Sequence, residues 1–297
     1  MKNKTARLFL FFMVQNGIIH QTGKIFAIGD IHGDFTTFIT LLYNAKIIDR
    51  NGNWSAGRTM LVQIGDILDS KVRVPDGKDD AGEIKIFRKL FDLHNQAQHH
   101  GGKVIIIVGN HEMMNFIGDF SYVSEKGKKV FGGNSSRMNF LSPGSQFCSE
   151  LSKLAYGIVK IGNTIFVHGS VLPSIAKKYS IPQINELLHR FLRGEKELMY
   201  QTDFKNIFLD NSGICWARTY SLEKPRCSAL YTVLKTYDAS QMVVGHSVQD
   251  EGINAKCQNK IWRIDTGMSK SFGSDNKGRL QALIIEPNGQ VFRVGSF

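Results

Sequence analysis

Six short apolar runs, each too brief for a helix and each cut off at a small set of polar groups, limit what this chain can fold into. Lys24-Ile25-Phe26-Ala27-Ile28 runs into Gly29-Asp30, and Met60-Leu61-Val62-Gln63-Ile64 into Gly65-Asp66. Lys103-Val104-Ile105-Ile106-Ile107-Val108 meets Gly109-Asn110-His111-Glu112, and Thr164-Ile165-Phe166-Val167 meets His168-Gly169. Gln241-Met242-Val243-Val244 stops at Gly245-His246, and Lys260-Ile261-Trp262-Arg263-Ile264 at Asp265-Thr266-Gly267. Continuous apolar runs of this length read as strands buried on both faces.

Helical periods lie between the runs. Phe38, Leu41, Leu42 and Ala45 form one apolar stripe, and Ile84, Phe87, Leu90 and Phe91 a second. Ile184, Leu187, Leu188 and Phe191 form a third, and Leu230, Val233, Leu234 and Tyr237 a fourth. Alternating strand and helix predicts an α/β layered fold. The closing stretch from Leu283 to Val294 carries Asn288-Gly289 between two β-prone runs and reads as a hairpin. The expected architecture is therefore a pair of layered, mixed β-sheets, sandwich-like at the core and flanked by α-helices. No repeat or linker-like tract interrupts the chain. That predicts one catalytic domain over residues 23–297 behind an N-terminal extension, residues 1–22.

Loops that follow strand carboxyl ends converge on one edge of a layered α/β fold. The polar residues expected to meet there are Asp30, His32, Asp66, Asp69, Asn110, His111, His168, His246 and Asp265. A single Asp after a strand is ordinarily a cap or turn former. A lone His, such as His20, His94, His99 or His100, is ordinarily a surface or core residue. Repetition at six strand ends is what points to a metal centre. The donors are imidazole and carboxylate with one amide oxygen and no thiolate, which suits Mn, Fe or Zn. Gly29, Gly65, Gly109 and Gly245 each precede a candidate donor and leave room for an ion or phosphate.

Gly29-Asp30-Ile31-His32-Gly33, Gly65-Asp66-Ile67-Leu68-Asp69, Gly109-Asn110-His111-Glu112, Val167-His168-Gly169 and Gly245-His246 resemble, in order, the signature of the calcineurin-like metallophosphoesterases. More narrowly they resemble the phosphoprotein phosphatase family. Gly118-Asp119-Phe120-Ser121-Tyr122-Val123-Ser124, Trp216-Ala217-Arg218-Thr219-Tyr220 and Trp262-Arg263-Ile264-Asp265-Thr266-Gly267-Met268-Ser269 are similar to its Shewanella-like branch. The resemblance spans about residues 23 to 290. It implies two divalent metal ions, one held by Asp30, His32 and Asp66 and the other by Asp66, Asn110, His168 and His246, with Asp66 bridging. Such a pair acidifies a shared water and clamps the phosphoryl oxygens for in-line attack without a phosphoenzyme. His111 would protonate the departing oxygen, and Asp69 would hold its ring in the required tautomer.

The resemblance further assigns phosphate binding to Arg218, whose planar fork suits phosphate. The family usually has Arg-Gly directly after the position of Asp69, whereas this chain has Ser70-Lys71-Val72-Arg73. Arg73 from a shifted loop, Lys71 as a point charge, or a solvated Arg73 are the open alternatives. Ser170 stands where the family more often has a second glycine. Asp265 is expected to orient a metal-bound imidazole in preference to binding metal itself. Cys148, Cys215 and Trp216 are expected to be packing residues, and Val74 to Gly82 an exposed loop beside the site.

The chain has 37 Lys and Arg against 26 Asp and Glu, a net charge of +11, which calls for an anionic partner. The runs Lys126-Gly127-Lys128-Lys129 and Lys177-Lys178 have no interleaved aromatics and read as solvated faces, so no specific nucleic-acid partner is expected. Four widely spaced cysteines, Cys148, Cys215, Cys227 and Cys257, show no CxxC pairing. They are expected to be reduced thiols of an intracellular, cytoplasmic protein. The apolar stretch Leu8 to Val14 behind Lys2, Lys4 and Arg7 is too short to span a membrane. A peripheral strand or extension is expected there, with a targeting segment as the alternative. The function expected is a phosphomonoesterase, a serine/threonine or tyrosine protein phosphatase acting on a phosphorylated protein or small phosphoester. The alternatives are a dinucleoside polyphosphate or RNA-cap hydrolase, and a non-catalytic basic binding module that kept the fold.

Overall fold

The computed structural model describes residues 16–273 and 278–295, so the apolar stretch Leu8 to Val14 lies outside the described residues. Twelve strands run β1 Ile18–Ile19, β2 Ile25–Ile28, β3 Met60–Gln63, β4 Lys103–Ile107, β5 Ala155–Tyr156, β6 Ile158–Ile161, β7 Thr164–Val167, β8 Gln241–Val244, β9 Asn254–Lys256, β10 Ile261–Arg263, β11 Gln281–Ile285 and β12 Val291–Gly295. They form two six-stranded sheets, β12-β11-β2-β3-β4-β5 and β1-β6-β7-β8-β10-β9. Strands β2, β3 and β4 are parallel neighbours in the first sheet, as are β7, β8 and β10 in the second. The β11–β12 hairpin joins antiparallel to β2, which makes the first sheet mixed, as its Asn288-Gly289 turn predicts.

Period-two alternation explains why the strands are apolar throughout. Ile25, Ala27, Met60, Val62, Ile105 and Ile107 of one sheet meet Val159, Ile161, Phe166 and Val243 of the other in a buried layer between the sheets. The residues between them, among them Phe26, Ile28, Leu61, Val104 and Ile106, face outward into a second buried cluster with the helices. A sandwich thus sits inside two helical coats. Residues Ile18 and Ile19 add an edge strand to this sandwich ahead of residue 23.

The four predicted stripes are helices α1 Phe35–Asn44, α2 Glu83–His99, α8 Ile181–Leu192 and α9 Cys227–Thr236. In α2 the buried face is Ile86, Phe87, Leu90, Leu93 and Ala97, so the stripe is rotated from the expected one and Ile84 and Phe91 are half-buried. Asp34 caps α1 by accepting Thr37 N–H at 2.9 Å. Four short helices between β4 and β5 were not expected: α3 Asn110–Phe116, α4 Glu125–Val130, α5 Asn134–Leu141 and α6 Gln146–Leu151. Each is at most eight residues long, too short for a periodic signal. A further short helix, α7, is Pro173–Lys178.

The expectation of four reduced thiols is corrected at one pair. Cys227 and Cys257, 30 residues apart, are joined by a disulfide, while Cys148 and Cys215 are free and buried. The pairing was illegible because it is tertiary: the start of α9 lies beside the turn after β9, with the two Cα atoms 5.4 Å apart. It also removes the thiol-based reason for expecting an intracellular location. Among the described residues no helix is long and apolar enough to cross a membrane.

Candidate metal centre

The strand ends do meet. β2, β3 and β4 bring the loops that carry Asp30, Asp66 and Asn110 to the edge where β7 and β8 deliver His168 and His246. Gly65, at φ +102°, turns the chain after β3, and a Cβ there would lie 2.8 Å from the backbone of Gly109 and from His168 Nδ1. A Cβ on Gly109 would in turn lie 2.2 Å from an Asp66 carboxylate oxygen. Only the two glycines together let these loops touch. Four side-chain-bearing residues of the site, His32, Asp66, Asp69 and His246, have φ between +43° and +68°. Left-handed backbone in non-glycine residues is sparse, and its clustering here marks a site that the surrounding structure holds in place.

Glu112 supplies much of that hold. One oxygen of its fully buried carboxylate accepts N–H from Asp66 and Gly109, both at 2.8 Å, and the other from Ile67 at 2.8 Å and Leu68 at 3.0 Å. Four backbone donors of two loops therefore converge on one side chain. Glu112 had no role assigned from sequence, although a Glu at the third residue of a helix is a capping signal that finds it.

Each of three imidazoles rests one nitrogen on a carbonyl. His32 Nδ1 lies 3.1 Å from Leu68 O, His168 Nδ1 2.9 Å from Ile64 O, and His246 Nε2 2.9 Å from Trp216 O. A carbonyl only accepts, so these nitrogens carry a hydrogen and the opposite nitrogens are turned toward the site. His168 Nε2 lies 3.0 Å from Asn110 Oδ1, 3.2 Å from His246 Nδ1 and 3.2 Å from Asp66 Oδ2. Three acceptor atoms thus surround His168 Nε2, an arrangement that a proton there or a cation among the four atoms satisfies. His32, Asp66 and His111 form one group of donor atoms within 4.8 Å of one another, and Asp66, His168 and His246 form a second. Asp66 belongs to both.

Charge distinguishes His168 from the other two rings. Burial, reinforced by His111, lowers His32 to about 3, and burial with His168 lowers His246 to about 2, so both rings stay neutral. Burial opposes charge on His168 as well, yet the Asp66 carboxylate raises it above the ordinary value. Burial, then Asp265 and Asp66, push Asp30 well above the usual carboxylate range. Burial, with Asp66 adding to it, takes Asp265 up to about 6. These are buried carboxylates short of positive charge.

The remaining candidates fall around this cluster. Asp30 accepts His246 N–H at 3.1 Å. Asp69 Oδ2 lies 2.7 Å from His111 Nδ1, which turns His111 Nε2 toward Asp66 Oδ2, 3.9 Å away. Asp265 departs from expectation: its carboxylate accepts Gly267 N–H at 2.9 Å, and the three carbonyl-bound imidazoles are oriented by main chain. Arg218 is exposed at the rim and donates to His246 O and, at 2.8 Å, to Ser247 Oγ. Lys71 Nζ donates to Ser121 O at 3.3 Å. Cys148 and Cys215 are packed, and Trp216 is half-buried with its indole N–H on Phe208 O. In the stretch Val74 to Gly82 only Pro75, Asp76 and Lys78 are exposed, and Ala81 and Gly82 are buried.

Arg73 is not a solvated loop charge. Its guanidinium lies 4.7 Å from the Tyr122 ring and 5.5 Å from the Phe272 ring. Those rings pack on His111 and His32, with centroids 5.1 Å and 5.3 Å apart. Nε donates to Lys71 O at 3.0 Å. Among the described residues, Arg73 Nη2 is the one buried side-chain polar atom without a hydrogen-bond partner. Tyr122 and Phe272 had no role assigned from sequence, because nothing local signals that they would sandwich a distant arginine.

A profile of the calcineurin-like phosphoesterase family matches residues 23–250. Shewanella-like protein phosphatase 1 of Plasmodium berghei (strain Anka) is 35% identical over 260 residues, 84% of this chain and 68% of that one. Shewanella-like protein phosphatase 2 of Arabidopsis thaliana is 30% identical over 293 residues, 83% of this chain and 72% of that one. Among solved structures, the cold-active protein-tyrosine phosphatase of a psychrophilic Shewanella species superposes with a TM-score of 0.77 at 25% identity, covering 94% of this chain and 82% of that one. Matching profile, paired sheets and a shared-carboxylate cluster of His and Asp at the strand ends agree, and the chain belongs to the calcineurin-like phosphoesterase family.

Proposed function

We propose that this chain is a metal-dependent protein phosphatase that hydrolyses phosphomonoesters directly. The observation that carries the reading is the convergence of His168 Nε2, His246 Nδ1, Asn110 Oδ1 and Asp66 Oδ2 beside a His111–Asp69 pair. Asp30, His32 and Asp66 would hold one divalent ion, and Asp66, Asn110, His168 and His246 the other. When bound, the two ions would supply an acidified water as nucleophile and positive charge for the phosphoryl oxygens.

The chain's own residues supply the rest. His111 directs Nε2 into the site because Asp69 holds Nδ1–H at 2.7 Å, so a proton on Nε2 goes to the departing ester oxygen. Arg218 binds the phosphate from the rim. Arg73 binds it through the unpartnered Nη2, with Tyr122 and Phe272 fixing the guanidinium plane. Arg73 is preferred to Lys71, whose ammonium donates to Ser121 O at 3.3 Å on the exposed surface. The relatives are Shewanella-like protein phosphatases, which supports a phosphoprotein substrate, and the His111–Asp69 pair favours monoesters over the polyphosphate alternative.

Two measurements test this. On a panel of phosphoserine, phosphothreonine and phosphotyrosine peptides, turnover should need added manganese and stop with chelator; turnover of diadenosine tetraphosphate alone would overturn the reading. Arg73→Ala should weaken competitive inhibition by inorganic phosphate about 10- to 100-fold, the loss of a charged hydrogen bond worth about 1.5–3 kcal/mol. An unchanged inhibition constant would remove Arg73 from the site.

A further inference from the structure

Behind the His111–Asp69 pair lies a buried cation that no part of the reaction yet uses. Arg137, on α5, is wholly inaccessible to solvent. Its Nε donates to Asn115 Oδ1 at 2.8 Å, its Nη1 to Glu83 Oε2 at 2.6 Å and its Nη2 to Asp69 Oδ1 at 3.4 Å. The guanidinium lies 4.7 Å from the Phe131 ring and 5.8 Å from the Phe120 ring. A buried arginine costs several kcal/mol in desolvation, so a fold that needed only packing here would do as well with an apolar residue.

The pattern of its bonds shows what it holds. Asp69 Oδ1 takes Asn115 Nδ2 at 2.8 Å and Arg137 Nη2, which leaves Oδ2 for His111 Nδ1 at 2.7 Å. Rotation of the carboxylate about its Cβ–Cγ bond would break all three. The main chain is held too: Glu83 Oε1 accepts N–H from Asp69 at 2.9 Å and from Ser70 at 3.3 Å, while Arg137 neutralises its other oxygen. Asp69 stands at φ +68°, a backbone state that needs such support. Asn115 also donates to His111 O at 2.8 Å, so one network reaches both partners of the pair.

We propose that Arg137 is a positioning residue for proton delivery: through Asp69, Asn115 and Glu83 it sets the rotation of the Asp69 carboxylate, and so the direction of His111 Nε2. It touches neither substrate nor metal donors. The proposal rests on His111 acting as the proton donor, and the experiment separates the two ideas.

Aryl phosphates differing in leaving group provide the readout, because protonation matters little for p-nitrophenolate and much for phenolate. Arg137→Gln should lower kcat on phenyl phosphate about 10- to 100-fold, the usual cost of losing an orienting partner. On p-nitrophenyl phosphate it should lower kcat by at most about threefold, with KM and bound manganese unchanged. Arg137→Lys should recover part of the loss. Asp69→Asn combined with Arg137→Gln should be no slower than Asp69→Asn alone, since both act through one carboxylate. Equal losses on the two substrates, or multiplying losses in the double variant, would overturn the proposal. If Arg137→Gln does not fold, Asn115→Ala must show the same leaving-group pattern, and its failure to do so counts equally against it. If His111→Asn itself shows no leaving-group dependence, the proton-donor reading falls first.

Discussion

Asp66→Asn is expected to abolish binding of both divalent ions at once, because Asp66 is the one residue common to both donor groups. The ions are asked to supply several kcal/mol of charge stabilisation, which at 1.36 kcal/mol per decade is on the order of 10³-fold in turnover. Metal content should fall to background, and a variant that kept two ions and its activity would refute the assignment.

His111→Asn should behave differently. The ring contributes a proton and no essential donor to the metal centre in the reading proposed here. Turnover of a phosphopeptide should fall about 10²- to 10⁴-fold, the range for general acid–base catalysis. Bound metal and KM should stay near the parent's. An aryl phosphate should also lose most of its turnover, but less than the peptide as its leaving group improves. Parallel assay of metal content and kcat separates this outcome from a collapsed site, and unchanged turnover would sink the mechanism.

Much of this centre is legible in the sequence because the chemistry is written at strand ends. The runs before Asp30, Asp66, Asn110, His168 and His246 are strongly apolar and short, so strand identity and donor identity can be read together. The supporting layer is not legible in the same way. Arg137 lies 54 residues from Glu83 and 68 from Asp69, on a helix without an apolar stripe. Arg73 finds its place only because Tyr122 and Phe272 arrive from separate parts of the chain. The disulfide between Cys227 and Cys257 is invisible for the same reason. Asp265 misled because a carboxylate after a strand suggests an imidazole partner, whereas it accepts from Gly267 N–H and the carbonyl-bound rings use main-chain oxygens.

Those main-chain oxygens bear on how the site tolerates mutational drift. Ile64, Leu68 and Trp216 orient His168, His32 and His246 through atoms that every amino acid possesses. Substitutions at these three positions can alter packing while leaving the imidazole anchors chemically intact. The vulnerable letters are instead those that set the path of the chain, Gly65 and Gly109, where a single added carbon meets the neighbouring loop. The orientation of the rings is thus inherited through backbone shape, and relatives can diverge in side chains around the metal centre without relearning how to aim it.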